Sequence, residues 1–223
     1  MKKGSLWIIL GVLLLLGAVG LTLYNLQEDR AAKKAADNVL SQLQELLPEE
    51  VPDGALDAMG LNESRSDAES AAAEEAADAD GLIPWEMDPT QDMPTVTIDG
   101  YRYIGVVEIP SRDLKLPVME EWDYTRLKIA PCRYSGSVYQ DNMVICGHNY
   151  YGHFSEVRYI GVGEEVIFTD AVGNVFYYTV ANVETLKPSQ VEEMTTGDWD
   201  LTLFTCNTGA QTRRAVRCYR VEA

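Results

Sequence analysis

A cysteine at the end of an apolar run is the residue in this sequence best suited to nucleophilic chemistry. The run Leu201–Cys206 reads LTLFTC, and an arginine pair, Arg213 and Arg214, follows after a short polar stretch. A cysteine attacks through its thiolate, and a nearby cation stabilises the negative charge that develops on the reacting group. The pattern therefore predicts a reactive thiol at Cys206 with an arginine beside it.

A thiol nucleophile also needs a base, and the sequence contains two histidines. His148 ends the β-like run Met143–His148, which places it at a strand end, whereas His153 follows in a Gly-His-Phe segment. An imidazole with a pKa of about 6.5 exchanges protons readily near neutral pH. We favour His148 over His153 as the base.

The register of two strands decides which arginine faces the thiol. If Leu201–Cys206 and Arg214–Val221 are neighbouring strands, Cys206 and Arg214 oppose each other across the ladder. Side chains alternate along a strand, so Arg213 and Arg214 point to opposite faces. A bulge in the connection would exchange the two arginines. The residues alone leave this choice open.

Short β-rich runs separated by turn residues occupy the chain from Pro94 onward and must position these side chains. This texture is typical of an all-β sandwich or, more economically, a closed barrel. The predicted strands are Tyr101–Ile109, Leu114–Val118, Met143–Cys146, Glu165–Thr169, Val175–Glu184, Leu201–Cys206 and Arg214–Val221.

The N-terminal part of the chain predicts a membrane anchor followed by a helical stalk. The uncharged run Leu6–Tyr24 would rise about 28 Å as a helix, close to the thickness of a bilayer core. Residues 1–5 carry Lys2 and Lys3, which place the N-terminus in the cytoplasm and the rest of the chain outside. A cleaved signal peptide is the alternative. Residues 25–48 repeat apolar side chains at helical spacing, and Pro48 ends the pattern.

An acidic linker, residues 49–93, separates the stalk from the β-rich domain, residues 94–223. The linker is rich in Ala, Asp, Glu, Ser and Gly, and it has too few large apolar residues to form a core, so we predict that it is disordered. The whole chain has 18 basic and 35 acidic residues, a net charge of −17, which argues against nucleic acid as a partner and against docking on anionic lipid.

The β-rich domain resembles the sortases in several of its motifs. The segment Thr202–Cys206 matches the family's TLxTC signature, Val144–His148 is similar to the strand that carries the sortase histidine, and Gly209–Arg214 is similar to the stretch that ends in the sortase arginine. The opening strands, YIGVVEIP and LKLPV, resemble those of the family, with class B features, while the loop before Arg214 is closer to other classes. The resemblance therefore leaves the subclass open.

The resemblance implies an eight-stranded closed β-barrel with short helices and a catalytic site made of Cys206, His148 and Arg214. It implies a membrane-anchored cysteine transpeptidase of Gram-positive bacteria with its catalytic domain outside the cell. Such an enzyme cleaves an LPxTG-like or NPxTN-like sorting motif of a secreted protein. It then transfers the acyl group to an amine of a cell-wall precursor or a pilin. Cys206 would form the thioester, His148 would move protons, and Arg214 would bind the carbonyl oxygen.

Neighbours of these residues are candidates for substrate contacts, namely Thr205, Asn149 and Tyr150. We expect no cofactor. The acidic residues Glu164, Glu165, Glu192 and Glu193 are more simply a solvated surface, which leaves calcium dependence undecided.

Two other functions remain open from the sequence. One is a thiol peptidase that only hydrolyses, and the other is a non-enzymatic adhesion module on a stalk. In the second case Cys206 would be structural. The other cysteines, Cys132, Cys146 and Cys218, are expected in the core, although an even number of thiols outside the cell permits disulfides.

Overall fold

A computed structural model describes residues 3–46, 88–207 and 209–221 of the chain. The predicted linker, residues 49–93, lies outside the described residues except for positions 88–93. The described segments form one long helix and a β-barrel against which part of that helix packs.

The N-terminal helix, α1, spans Lys3–Leu46 and joins the predicted anchor and stalk into one element. It ends shortly before Pro48, which fits the bias of a residue preceding proline away from helical backbone. The first half is apolar, with a mean hydropathy of 2.3 over its candidate membrane-spanning window, and its side chains from Trp7 to Leu26 are exposed. The second half buries a stripe of small and aliphatic residues against the barrel: Ala32, Ala36, Val39 and Leu43.

Nine strands make up the sheet: β1 (Val96–Ile98), β2 (Tyr101–Ile109), β3 (Leu114–Met119), β4 (Cys132–Ser135), β5 (Met143–Gly147), β6 (Glu165–Asp170), β7 (Val175–Leu186), β8 (Leu201–Cys206) and β9 (Arg213–Val221). Their order is β1-β2-β3-β4-β5-β8-β9-β7-β6, and β2 also pairs with β6. That pairing closes the eight strands β2 to β9 into a barrel and leaves β1 as a short addition. The predicted eight-stranded closed barrel is therefore confirmed.

Two strands were missing from the prediction because their sequences carry little apolar alternation. β4 begins after Pro131 and ends before Gly136, and most of its side chains are only half-buried. β1 has only three residues, and the Asp99-Gly100 turn joins it to β2 with both residues at positive φ. That dipeptide is a typical hairpin signal.

Apolar residues fill two regions, the inside of the barrel and the space between α1 and the outer barrel wall. The interior is lined by large side chains such as Ile104, Phe168 and Leu203. The second region joins Val39 and Leu43 of α1 to residues of the barrel strands. The predicted core cysteines lie in these regions as free thiols: Cys132, Cys146 and Cys218. Burial raises the pKa of Cys132 and of Cys218 to about 12, so neither thiol ionises near neutral pH.

Gly105 allows the barrel to close at the junction of β2 and β6. It pairs with Asp170 of β6 and has a φ of +153°, and a Cβ placed on it would lie 2.0 Å from the carbonyl oxygen of Thr169. We expect Gly105→Ala to lower the free energy of unfolding by at least about 2 kcal/mol, because the clash adds to the strained backbone. Chemical unfolding measured by fluorescence tests this expectation.

Gly163 provides the matched control for that substitution. It also has a positive φ, of +88°, but a Cβ there would meet no atom within 4 Å. Gly163→Ala should therefore cost only the left-handed backbone term, about 1 kcal/mol. Equal losses for the two variants would contradict the proposed close contact at the barrel seam.

Candidate active site

Strands β5 and β8 bring the predicted histidine and cysteine to the same end of the barrel. The two strands are parallel neighbours, and Gly147 pairs with Thr205 at their ends. His148 and Cys206 are the next residue on each strand, so both follow the same rung of the ladder. Gly147 is required there because a Cβ would lie 2.2 Å from the ring of Phe154, which packs against it.

Cys206 and His148 both line a groove of about 250 Å³ on the outer face of the barrel. The floor is apolar and contains Cys146 and Phe204, which lie on the same strand faces as His148 and Cys206. The cysteine side chain is half-buried, whereas the other three thiols are buried. Cys206 is thus the thiol that is accessible to a peptide in the groove.

One wall of the groove is a contiguous set of aromatic rings. Trp122 stacks on Tyr134 with ring centroids 5.2 Å apart, and Tyr134 meets the edge of Phe204 at 5.3 Å. Tyr124 packs edge-on against Trp122 at 6.0 Å. Trp122, Tyr134 and Phe204 come from separate segments of the chain, so no local sequence pattern predicts that their rings lie together.

The opposite wall is the segment from Lys187 to the short helix α2 (Val191–Thr195), which is held by a buried arginine. The Arg217 guanidinium donates to the Glu184 carboxylate at 2.8 Å and to Thr202 Oγ1 at 3.0 Å. It also donates to two α2 carbonyl oxygens, those of Glu193 and Met194. A charge buried with this many partners fixes the position of the wall.

Arg213, not Arg214, lies opposite Cys206, so the register expected from the sequence is wrong. Strands β8 and β9 pair Cys206 with Arg213 and Thr205 with Arg214, without a bulge along the ladder. The physical reason is the tight connection between the strands, in which the Asn207 N–H donates to the Thr212 carbonyl. That bond brings Arg213, the next residue, into register with Cys206. Arg213 also lines the groove.

Arg214 occupies the other face of β9, toward the barrel interior. Its partner Thr205 is buried, and Val216, two residues along the strand, belongs to the interior core. The Arg214 guanidinium donates to the carbonyl oxygen of Ile160 at 3.4 Å, and its Nε has no hydrogen-bond partner among the described residues. Arg214 is therefore placed to support the barrel end rather than to contact a substrate in the groove.

His148 is held by a ring stack and lies close to the N-terminal helix. Its imidazole stacks on Tyr150 with centroids 3.7 Å apart and planes 17° from parallel. Tyr150 lines a cavity together with Glu28 of α1. Burial lowers the pKa of His148, with Glu28 opposing that effect. The neutral imidazole is thus favoured, which is the form that can accept a thiol proton.

His153 has a structural position. It is completely buried, and its Nδ1–H donates to the carbonyl oxygen of His148 at 3.3 Å. Burial lowers its pKa to about 4, so it stays neutral at physiological pH. His153 therefore fixes the backbone of the segment that carries His148.

Acid should destabilise the protein through His153. Between its ordinary pKa of 6.5 and its folded value of about 4, the unfolded chain binds a proton that the native protein does not, so stability falls as the pH falls. The full loss is about 3 kcal/mol. We expect unfolding curves recorded across this pH interval to show this slope, and His153→Gln to flatten it. An unchanged slope in the variant would contradict the assignment.

The three predicted substrate contacts lie in different surroundings. Thr205 lines the groove, but its hydroxyl donates to the Gly147 carbonyl at 2.9 Å and its side chain is buried. Asn149 is half-buried, and it is not among the residues that line the groove. Tyr150 faces a second cavity, between α1 and the barrel, together with Glu28 and Lys128. Only Thr205 of the three lines the groove.

Of the acidic residues considered as calcium ligands, Glu164 is bound to other side chains. Glu164 pairs with Arg112, with an N–O distance of 2.6 Å, and also accepts from Ser111. These hydrogen bonds lower the pKa of Glu164 to about 2. Glu192 and Glu193 lie in the first turn of α2.

This groove collects the parts needed for acyl transfer at a peptide carbonyl. A thiol can attack the carbonyl carbon, a neutral imidazole can take and return protons, and a guanidinium can donate to the developing oxyanion. Two features together select Arg213. The alternation along Leu201–Cys206 gives the face on which Cys206 lies, and the length of the tight connection then gives the arginine that pairs with it.

Comparison with known proteins identifies the family. A family model described as a sortase domain matches residues 107–221. Sortase A from Corynebacterium diphtheriae matches with a TM-score of 0.51 and 22% identity, covering 55% of this chain and 62% of that one. Sortase C1 from Streptococcus agalactiae matches with a TM-score of 0.50 and 24% identity, covering 57% and 72%. No curated protein matches.

The two kinds of similarity support different conclusions. The chain spans less than two thirds of the diphtheria sortase A, and the identity to both solved structures is low, so these likenesses support the fold alone. The family model, in contrast, covers more than half of the chain. The chain therefore belongs to the sortase family, whose members are cysteine transpeptidases.

Proposed function

We propose that this protein is a membrane-anchored transpeptidase that cuts a sorting motif of secreted proteins and joins the new carboxyl end to an amine. The motif would be LPxTG-like or NPxTN-like, and the amine would belong to a cell-wall precursor or a pilin. The observation that carries the proposal is the presence of Cys206, His148 and Arg213 along one groove.

The first half-reaction forms a thioester. Cys206 Sγ attacks the scissile carbonyl carbon while His148 accepts the thiol proton, and the carbonyl oxygen becomes an oxyanion to which Arg213 donates. When the tetrahedral intermediate collapses, the C–N bond breaks and His148 returns the proton to the departing amine. The acyl group then remains on Cys206.

The second half-reaction reverses these steps with a new amine. The incoming amine attacks the thioester carbon and loses a proton to His148, and the C–S bond breaks. The proton then returns to the sulfur of Cys206. Water in place of the amine would give hydrolysis, so the choice of nucleophile distinguishes a transpeptidase from a peptidase.

The groove suits an extended peptide with apolar side chains. Its floor and one wall present Phe204, Tyr134 and Trp122, and aromatic faces of this kind bury apolar residues without requiring charge. Lys187 and Gln190 supply polar groups on the other side. Such a lining favours a short motif with leucine or proline, as the sorting motifs have.

The apolar half of α1 supports anchoring in a bilayer. Its length and composition are those of a single membrane span, and the lysines that precede it favour a cytoplasmic N-terminus. The barrel would then lie on the outer side of the membrane, where secreted proteins and wall precursors are found.

Incubation of the full chain in detergent micelles with a panel of sorting-motif peptides tests the function. Each peptide is supplied with and without an amine acceptor, and the products are separated by chromatography and weighed. We expect one motif to be cut between its Thr and the following residue, and a ligated product to form when the amine is present. Cys206→Ala is the matched control.

The other outcomes would contradict the proposal in distinct ways. Cleavage that never gives a ligated product with any amine would indicate a hydrolysing thiol peptidase. Absence of cleavage of every peptide by a folded protein would favour a non-enzymatic surface module.

A further inference from the structure

The helix that carries the apolar span also packs close to the segment that carries His148. Contacts between α1 and the barrel begin at Glu28, whose carboxylate lies 3.9 Å from Lys128 Nζ and which lines a cavity together with Tyr150. Tyr150 in turn stacks on His148. The chain of contacts from helix to imidazole therefore passes through a single side chain.

Glu28 lies about one helical turn beyond the apolar run. The hydroxyl of Tyr24, the last residue of that run, donates to Glu28 at 2.9 Å. Four residues of helix correspond to about 6 Å of rise. Because α1 has no break between Lys3 and Leu46, this distance fixes how far the His148 segment lies from the end of the span.

Other contacts between the barrel and α1 lie farther along the helix from the membrane span. Leu43 packs in the buried cluster that contains Ile98 of β1, on the order of 22 Å farther along α1 than Glu28. The barrel is thus attached along the second half of α1, with its His148 segment at the end that faces the span.

The surface next to this junction has the composition of a membrane interface. Tyr151, which follows Tyr150, is 74% exposed, and Tyr124, close in sequence to Lys128, is 80% exposed. Trp122 is 40% exposed beside Tyr124. Trp and Tyr are enriched where proteins meet the headgroup layer, and a lysine there can extend toward the phosphates. We call Trp122, Tyr124, Lys128 and Tyr151 the interfacial rim.

We propose that the continuous helix seats the interfacial rim on the bilayer surface, so that the lipid headgroup layer is a binding partner of the catalytic domain. This proposal rests on the membrane anchor proposed above and does not depend on the reaction that the site performs. It assigns a first role to the exposed Tyr151 and a second one to Trp122 and Tyr124, which also line the groove.

Tryptophan quenching by brominated lipid tests whether the interfacial rim lies on the bilayer surface. In a background in which Trp7, Trp85, Trp122 and Trp199 are replaced by phenylalanine, one variant carries Tyr151→Trp as the reporter. The matched control carries Thr97→Trp, at an exposed position of β1 beside Ile98. Both full-length proteins are placed in nanodiscs of brominated phosphatidylcholine and, for reference, of the unbrominated lipid.

We expect emission from the Tyr151→Trp reporter to fall in brominated lipid and emission from the Thr97→Trp control to stay unchanged. A flexible insertion between Tyr24 and Asn25 should abolish the quenching while the protein still co-elutes with the nanodiscs. Melting curves confirm that each variant is folded.

Three results would overturn the proposal. Failure to co-elute with nanodiscs would reject the anchor and the seat together. If the protein co-elutes but reporter and control are quenched equally, or not at all, the rim does not lie on the bilayer, although the membrane anchor stands. Quenching that survives the insertion would show that α1 does not seat the rim. The transpeptidase assay is unaffected by each of these results.

Discussion

Replacing Cys206 with alanine is expected to abolish cleavage and ligation of a sorting-motif peptide while leaving the barrel folded. The side chain is half-buried at the end of β8 and lines the groove, so its loss removes the nucleophile without opening a core cavity. Without a thioester neither half-reaction can proceed. Product formation followed by chromatography should fall below detection.

Cys146→Ala is the control for this prediction, because Cys146 lines the same groove. Its thiol is buried, and burial raises its pKa, so it is a poor nucleophile. We expect this variant to retain cleavage, with a small loss of stability. If Cys206→Ala kept its activity, or if only Cys146→Ala lost it, the nucleophile would be Cys146 and not Cys206.

Replacing Arg213 with alanine is expected to slow acylation of Cys206 by about 10²- to 10³-fold, the usual cost of removing one oxyanion donor. Arg213 lies opposite Cys206 and lines the groove, so it is the guanidinium that shares a face with the thiol. The rate of the first product's release in single-turnover mixing measures this effect.

Arg214→Ala separates the structural assignment from the one implied by family resemblance. Its guanidinium faces the barrel interior and donates to the Ile160 carbonyl. We expect this variant to lower the Tm and to leave the acylation rate near that of the wild type. If Arg214→Ala instead loses the rate and Arg213→Ala keeps it, the catalytic role belongs to Arg214 and the register argument fails.

Much of the barrel could be predicted from the sequence because its strands carry local signals. Strands such as Leu201–Cys206 and Tyr101–Ile109 agree with the structure at both ends. β4 could not be predicted, because its identity as a strand depends on pairing with β5 and not on its own composition. β1 has only three residues, and its one local signal is the Asp99-Gly100 turn that joins it to β2. The joining of anchor and stalk into one helix was also not predicted, although no proline or glycine occurs between Leu21 and Leu46.

The site was predictable where a motif fixes a residue and not where contacts between distant segments do. Cys206 and His148 end strands whose sequences identify them, and the structure places both in one groove. The choice between Arg213 and Arg214 depends on the register of one residue, which the hydrogen bond between Asn207 and Thr212 decides. The contact of Glu28 with Tyr150 joins residues far apart in the chain, so no local pattern could predict it.

The central claim is that a peptide carbonyl becomes bonded to the sulfur of Cys206. The most direct measurement mixes the full chain with a cleavable sorting-motif peptide, quenches the mixture in acid, and determines the intact mass and the modified residue. We predict a mass gain equal to the N-terminal fragment of the peptide, located on Cys206 and released by hydroxylamine. A folded enzyme that cuts the peptide without this adduct, or with the adduct on another residue, would contradict the account.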